Sequence, residues 1–323
     1  MQLVKGLSAP KETLQYGTIG RSKAPSPPVY LERGNGDSSM LRLLERNIAS
    51  VEERLVLLAP PAAVIPPHFR NVTYDFDQHR TLVREMQRLR GSVYLEEGNV
   101  SHDQLTSDGL HETPEDARSW HLLMRDRRGG VSSCAWYLEH DNTASIHSLR
   151  VRHCPLAKRD DWGERLKLAV ESELAKARIN KLRYAEVGGW AVSKERRCTS
   201  EGLVLALAAY GLCRTLGGAL GITTANVKHS SSSILRRLGG SYLEARGKII
   251  PAYFDEHYNA DIEILRFDSR RPAGKYAGLI DMLRERLSNV AVFAGSAEHQ
   301  ATEDWVTRSA GAPGLLSAER VAC

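Results

Sequence analysis

Residues 184 to 216 constrain this chain more than any other stretch. Tyr184-Ala185-Glu186-Val187-Gly188-Gly189-Trp190-Ala191-Val192 reads as a strand, Ser193 to Ser200 as a polar turn, and the apolar run after Gly202 as a long helix. A strand that ends in a short polar turn and opens a helix aims several unpaired backbone N–H groups at one point. The positive end of the helix dipole faces the same place, so such a turn suits a phosphate or pyrophosphate. A glycine pair inside the strand marks a bulge or a close backbone approach, or else a simple packing position.

The 323 residues suffice for a sizeable core in one large domain or two small ones. The formal charge of +5 is spread over pairs such as Arg196-Arg197 and Arg236-Arg237, with no basic tail, which disfavours a nucleic-acid partner. Five cysteines, Cys134, Cys154, Cys198, Cys213 and Cys323, form no C-x-x-C, so a reducing, cytoplasmic setting is expected. The histidines lack H-E-x-x-H spacing, so no metal is expected, and no G-x-S-x-G elbow supports a serine hydrolase. The most apolar runs fall short of the ~20 residues that cross a bilayer, so no integral membrane segment is expected.

Residues 1–36 read as a flexible arm rich in Pro, Ser, Gly and Lys. In 37–70, Leu41, Leu44, Ile48, Val51 and Leu55 form a helical stripe, followed by a Pro-rich spacer. The stripe reads as a helix docked on its own domain, with a homodimer as the alternative. A compact domain spans 71–290, and 291–323 read as a frayed tail. Inside the domain, strands are expected at 72–74, 120–125, 134–140, 145–151, 184–192, 219–225 and 262–267. Helices are expected at 77–90, 92–97, 162–177, 200–216, 231–238 and 281–287.

Arg197, Ser200 and Gly202 occupy the three key positions of a Q/R-x-x-G-x-G/A loop, with Ser for the first Gly. This resembles the acyl-carrier pyrophosphate loop of the GNAT acyltransferase superfamily. Arg90-Gly91-Ser92-Val93-Tyr94-Leu95-Glu96-Glu97 is similar to the R-x-x-V-Y-x-E-E segment of its N-acyl amino acid synthase and autoinducer synthase-like branch. The resemblance spans roughly 200 residues. It implies an α/β fold with a GNAT-like mixed central sheet flanked by helices, carrying here an N-terminal helical extension. It implies transfer of an acyl group from an acyl-CoA or acyl carrier protein thioester to a small primary amine, amino acid-like, by direct attack. A GNAT-like module that binds or senses an acyl thioester without turning it over is the alternative.

The resemblance places the donor on Trp190, Ala191, Val192, Arg197, Cys198, Thr199, Ser200, Glu201 and Gly202. N–H groups near Trp190 to Val192 would polarise the thioester carbonyl. Glu186 is a candidate general base or water-holding carboxylate, or else a strand glutamate satisfied by a neighbouring Arg. His229 is a candidate proton carrier, or else a loop histidine beside serine N-caps. Two departures matter. Ser200 adds a Cβ where glycine lets the backbone close on phosphate, and Leu235 stands where many members carry a Tyr general acid. Lys194, Arg196, Arg197, Arg236 and Arg237 would form a basic rim suited to an acidic carrier protein, or else are ordinary solvated charges.

Overall fold

The computed structural model describes residues 34–61, 63–228 and 231–295. Along the chain run α1 (Gly34–Ala49), β1 (Leu55–Ala59), β2 (Val72–Tyr74), α2 (Phe76–Glu96), β3 (Trp120–Arg125) and β4 (Val131–His140). Then come α3 (Gly163–Ile179), β5 (Arg183–Val192), α4 (Glu201–Thr215), β6 (Ala219–Asn226) and α5 (Ser231–Leu238). Short strands β7 (Ser241–Tyr242), β8 (Glu244–Ala245), β9 (Lys248–Ile249) and β10 (Tyr253–Asp255) precede β11 (Ala260–Asp268), α6 (Gly274–Arg286) and β12 (Ala291–Ala294). One sheet has the order β10-β11-β6-β5-β4-β3-β1-β12-β2, with β7 on β11; β8 and β9 pair apart from it. β5/β6, β1/β12 and β12/β2 are parallel and the rest antiparallel, so the sheet is mixed, as the resemblance implies.

α4 and α6 cover one face, where Leu205, Leu207, Leu212 and Ile280 meet Ala135, Tyr137 and Ala185. α2 covers part of the other through Leu82, Met86 and Val93 against Val56, Leu58 and Leu123. α3 covers the rest through Leu166, Val170 and Leu174 against Tyr184, Leu220 and Ile264.

Several elements differ from expectation. Leu55, read as the end of a helical stripe, begins β1, which lies between β3 and β12 with all five residues buried. A short apolar run buried on both faces carries no alternation, so periodicity cannot separate it from a helix. Residues 291–294, assigned to the tail, are β12, inserted between β1 and β2. The sheet therefore extends beyond 71–290 at both ends. The expected arm, 1–36, overlaps the description only at 34–36, which already belong to α1. Leu44, Ile48 and Val51 are fully buried in the chain's own core. The tail from 296 on lies outside the described residues.

The expected helices 77–90 and 92–97 are one helix, α2, running through Gly91. Glycine is needed there for contact, because a Cβ would come within 2.5 Å of the Gly109 carbonyl oxygen. The expected strand 145–151 is instead a pair of 3-10 turns, Ile146–Ser148 and Arg150–His153.

Candidate active site

β5 is bulged at its glycine pair. Cys134 pairs with Ala191 and Trp136 with Gly188, so three steps along β5 oppose two along β4. The extra residue reverses the side-chain parity of the strand. Ala185 and Val187 face α4 before it; afterwards Trp190 takes that side while Ala191 joins the α2 cluster. Gly189 has φ +62°, and a Cβ on it would lie 2.2 Å from Trp136 Cδ1. The pair thus serves both of its sequence readings, as a bulge and as the packing surface for the Trp136 indole.

Beyond the bulge β5 and β6 part. Their pairing ends at Val187 with Thr223. A cavity of about 800 Å³ opens there, lined by Gly188 to Val192 on one side and Thr224 to Asn226 on the other. Trp190, Ala191 and Val192 are on its wall, and Arg197, Cys198, Thr199, Ser200 and Gly202 are at the loop end of the same cavity. Glu201 is not. Its buried carboxylate turns inward, accepting from Ser132 Oγ at 2.6 Å and pairing with Arg54 and, at 3.0 Å, with Arg196 Nε. It anchors α4 to the sheet, so the Glu201 side chain stays out of the cavity where the other expected donor residues meet. Cys198 holds φ +63° in the turn, and Asn47 of α1 donates to Ser200 Oγ.

The cavity has two unlike arms. On the α4 side its walls are Leu203, Ala206, Tyr210 and Cys213 with Leu235 and Phe267, and Met40, Leu43 and Leu44 of α1 close its flank. Leu235 does face the cavity, without a hydroxyl to protonate a leaving thiolate. On the α2 side the walls are polar: Arg90, Tyr94, Glu97, His111, Arg150 and Tyr258.

The polar arm stands on a buried network. Arg90 forks onto Asp116, Nη1 to Oδ1 at 2.9 Å and Nη2 to Oδ2 at 2.6 Å. Gln87 Nε2 and the Thr113 backbone also donate to that carboxylate, each at 3.0 Å. Burial pushes the Asp116 carboxyl up, but the Arg90 fork outweighs it and holds the group at about 2. Arg90 Nε donates to His111 Nδ1 at 3.0 Å, which leaves the imidazole proton on Nε2. Burial, then the Arg90 charge, push His111 down to about 4, so it is neutral at pH 7. Tyr94 packs edge-on to His111 and Tyr258, with its phenol driven upward by burial.

Glu186 does not line the cavity. Its Oε2 accepts from His140 Nε2 at 3.0 Å and from the Arg150 backbone N–H at 2.9 Å; Oε1 accepts from Val151 N–H at 3.3 Å. A general base must reach its proton directly or through one water. This carboxylate accepts three hydrogen bonds from its own protein and stands off the cavity wall, which is the strand-glutamate arrangement, with backbone N–H groups and His140 in place of the expected Arg side chain. His229 lies outside the described residues. Of the expected basic rim, Arg196, Arg197 and Arg237 line the cavity. Arg236 instead lies over the Tyr242 ring and toward Glu263. No group of three or more His, Cys, Asp or Glu arranged to hold a metal occurs among the described residues, nor does a helix long and apolar enough to cross a membrane.

No known family profile matches the sequence, and no curated protein does. Solved structures similar to the chain include BjaI, a CoA-dependent acyl-homoserine lactone synthase, at 15% identity and a TM-score of 0.46, covering 75% of this chain and 93% of that one. FeeM, an N-acyl amino acid synthase from uncultured soil microbes, is similar at 13% identity and a TM-score of 0.37, over 60% of this chain and 92% of that one. Escherichia coli ElaA is similar at 12% identity and a TM-score of 0.37, over 66% and 97%.

Proposed function

We infer that the protein is an N-acyltransferase that takes its acyl group from a CoA or carrier-protein thioester. The observation that carries this reading is the cavity at the parting of β5 and β6, with the opening turn of α4 at one end. The donor's pyrophosphate fits the turn from Arg197 to Gly202, where the first N–H groups of α4 are unpaired within the helix. Its pantetheine arm fits the gap, whose strand edges offer backbone partners to an extended amide chain. The acyl chain fits the apolar arm beside Leu203, Ala206 and Tyr210, where burial stabilises it by about 0.8 kcal/mol per methylene.

The amine then comes from the polar arm. Attack of the neutral amine on the thioester carbon forms a C–N bond and a tetrahedral intermediate; the nitrogen gives up one proton to solvent, and collapse breaks the C–S bond and releases the thiolate. A thiolate of ordinary pKa near 8.5 leaves without a dedicated acid, which suits Leu235. Arg150, beside Tyr258, offers a cation to a carboxylate on the acceptor, which fits an amino acid-like amine.

The test is release of free thiol from acyl-CoA in the presence of L-amino acids, with the N-acyl product identified by mass. Thiol release that depends on the amine supports transfer. Binding of acyl-CoA with no amine-dependent release supports the sensing module instead.

A further inference from the structure

Glu186 is a buried carboxylate in the middle of the sheet that accepts three hydrogen bonds, and its partners show what it holds. The turn Arg150–His153 begins with two backbone N–H groups, at Arg150 and Val151, that no preceding turn satisfies. Glu186 accepts from both, at 2.9 and 3.3 Å, while His140 Nε2 donates to the same carboxylate at 3.0 Å from β4. The backbone of Arg150 is thereby tied to β5. From that fixed point its side chain reaches the polar arm, where the guanidinium bonds the Tyr258 hydroxyl and approaches Glu115 at 3.8 Å. Tyr258 sits on the turn between β10 and β11. Arg150 therefore bridges the sheet and the turn that walls the arm.

We propose that Glu186 is a positioning residue: through the Arg150 backbone it sets the guanidinium to read the acidic group of the acceptor, and it takes no part in proton transfer. This rests on the acyl-transfer reading only for the class of molecule that fills the polar arm. A bidentate guanidinium contact demands correct placement of a planar fork, so loosening its backbone weakens recognition of a carboxylate without touching the donor site. Glu186→Gln keeps one oxygen but turns an NH₂ toward the donors that the second oxygen served.

The experiment is calorimetric titration of the CoA-bound protein with a panel of L-amino acids and the amines formed by their decarboxylation. Wild type is expected to prefer at least one acid over its amine. Glu186→Gln is expected to lower that acid's affinity about ten-fold or more, while amine and CoA affinities stay within about two-fold. Arg150→Met, at a half-buried side chain, should abolish the preference, and adding Glu186→Gln to it should cause no further loss. Equal losses for acid and amine in Glu186→Gln overturn the proposal, as does an Arg150→Met protein that keeps the preference even if Glu186→Gln fails to fold. A wild type indifferent to the carboxylate overturns it too. Selective acid binding without thiol release would instead refute the transfer reading alone.

Discussion

Arg197 Nη2 lies 3.4 Å from Glu97 Oε1 and 3.5 Å from Glu96 Oε2. This contact joins the two segments that the sequence singles out separately, the turn before α4 and the end of α2. Arg197 and Glu97 both line the cavity, so its loop end and its polar arm meet at this contact. Half-buried pairs of this kind are worth little in stability, but here the pair fixes where the turn stands relative to α2.

Gly202→Asp should abolish CoA binding while leaving the fold in place. A Cβ at 202 would sit 3.3 Å from Trp190 Cζ2 and 3.4 Å from Val192 Cγ2, a tight but adjustable contact. The added carboxylate reverses an anion stabilisation of ~0.3–2 kcal/mol at the helix start and repels the pyrophosphate directly. Calorimetry with CoA, beside circular dichroism, checks this; unchanged affinity in a folded variant places the donor elsewhere.

Gly189→Ala should destabilise the protein by ~2–3 kcal/mol or more. The alanine would have to hold φ +62° while its methyl group overlaps Trp136 Cδ1 at 2.2 Å, so strain and overpacking add. Urea midpoints at constant slope measure the loss. A Trp136→Ala partner should recover part of it by making room, at the cost of a cavity.

Stability should fall on acidification in two steps. His111 and His121, both buried, are held at about 4 in the fold, chiefly by burial, against about 6.5 in the unfolded chain. Between those values the unfolded state binds more protons, so their contribution is complete above pH 6.5 and drains away toward pH 4, at most ~1.4 kcal/mol per unit for each. Asp116, at about 2 in the fold against 3.8, adds a second loss between pH 3.8 and 2, with the same sign. His111→Asn keeps an acceptor for Arg90 Nε and should flatten the first step in part, because His121 and His79, both also lowered by burial, still share it. Urea midpoints from pH 7.5 to 4 follow it; an unaltered slope in that variant removes His111 from the account.

If an acyl carrier protein is the better donor, Arg237 is the residue to reverse, because Arg236 is turned onto Tyr242 and Glu263. Arg237→Glu should lower kcat/KM with the carrier protein by about ten-fold and with acyl-CoA by far less. The carrier-protein rate should also fall steeply above ~0.15 M salt, where screening acts within about 8 Å. Equal losses with both donors would remove the case for a carrier protein.

Local pattern determined a good part of this molecule. The strand, polar turn and helix of residues 184–215 are written in consecutive residues, as are the β3–β4 hairpin and the amphipathic α3, because each follows from near-neighbour sterics and periodicity. The Arg90 to Glu97 segment was visible as a motif, although nothing local says that Arg90 is wholly buried. β1 and β12 were not legible: five or four apolar residues carry no period, and only pairing with each other inside the sheet makes them strands. His111, Arg150 and Tyr258 carry no local signal for a related reason. They lie on turns far apart in the chain, and only the packing of those turns around the gap brings them to one wall. The same holds for Glu186 and Glu201. A sequence shows a carboxylate in a strand or in a first turn. Which donors surround it, and so whether it faces a substrate or the backbone of its own protein, is decided by elements many residues away, because a buried charge settles wherever the fold supplies its partners.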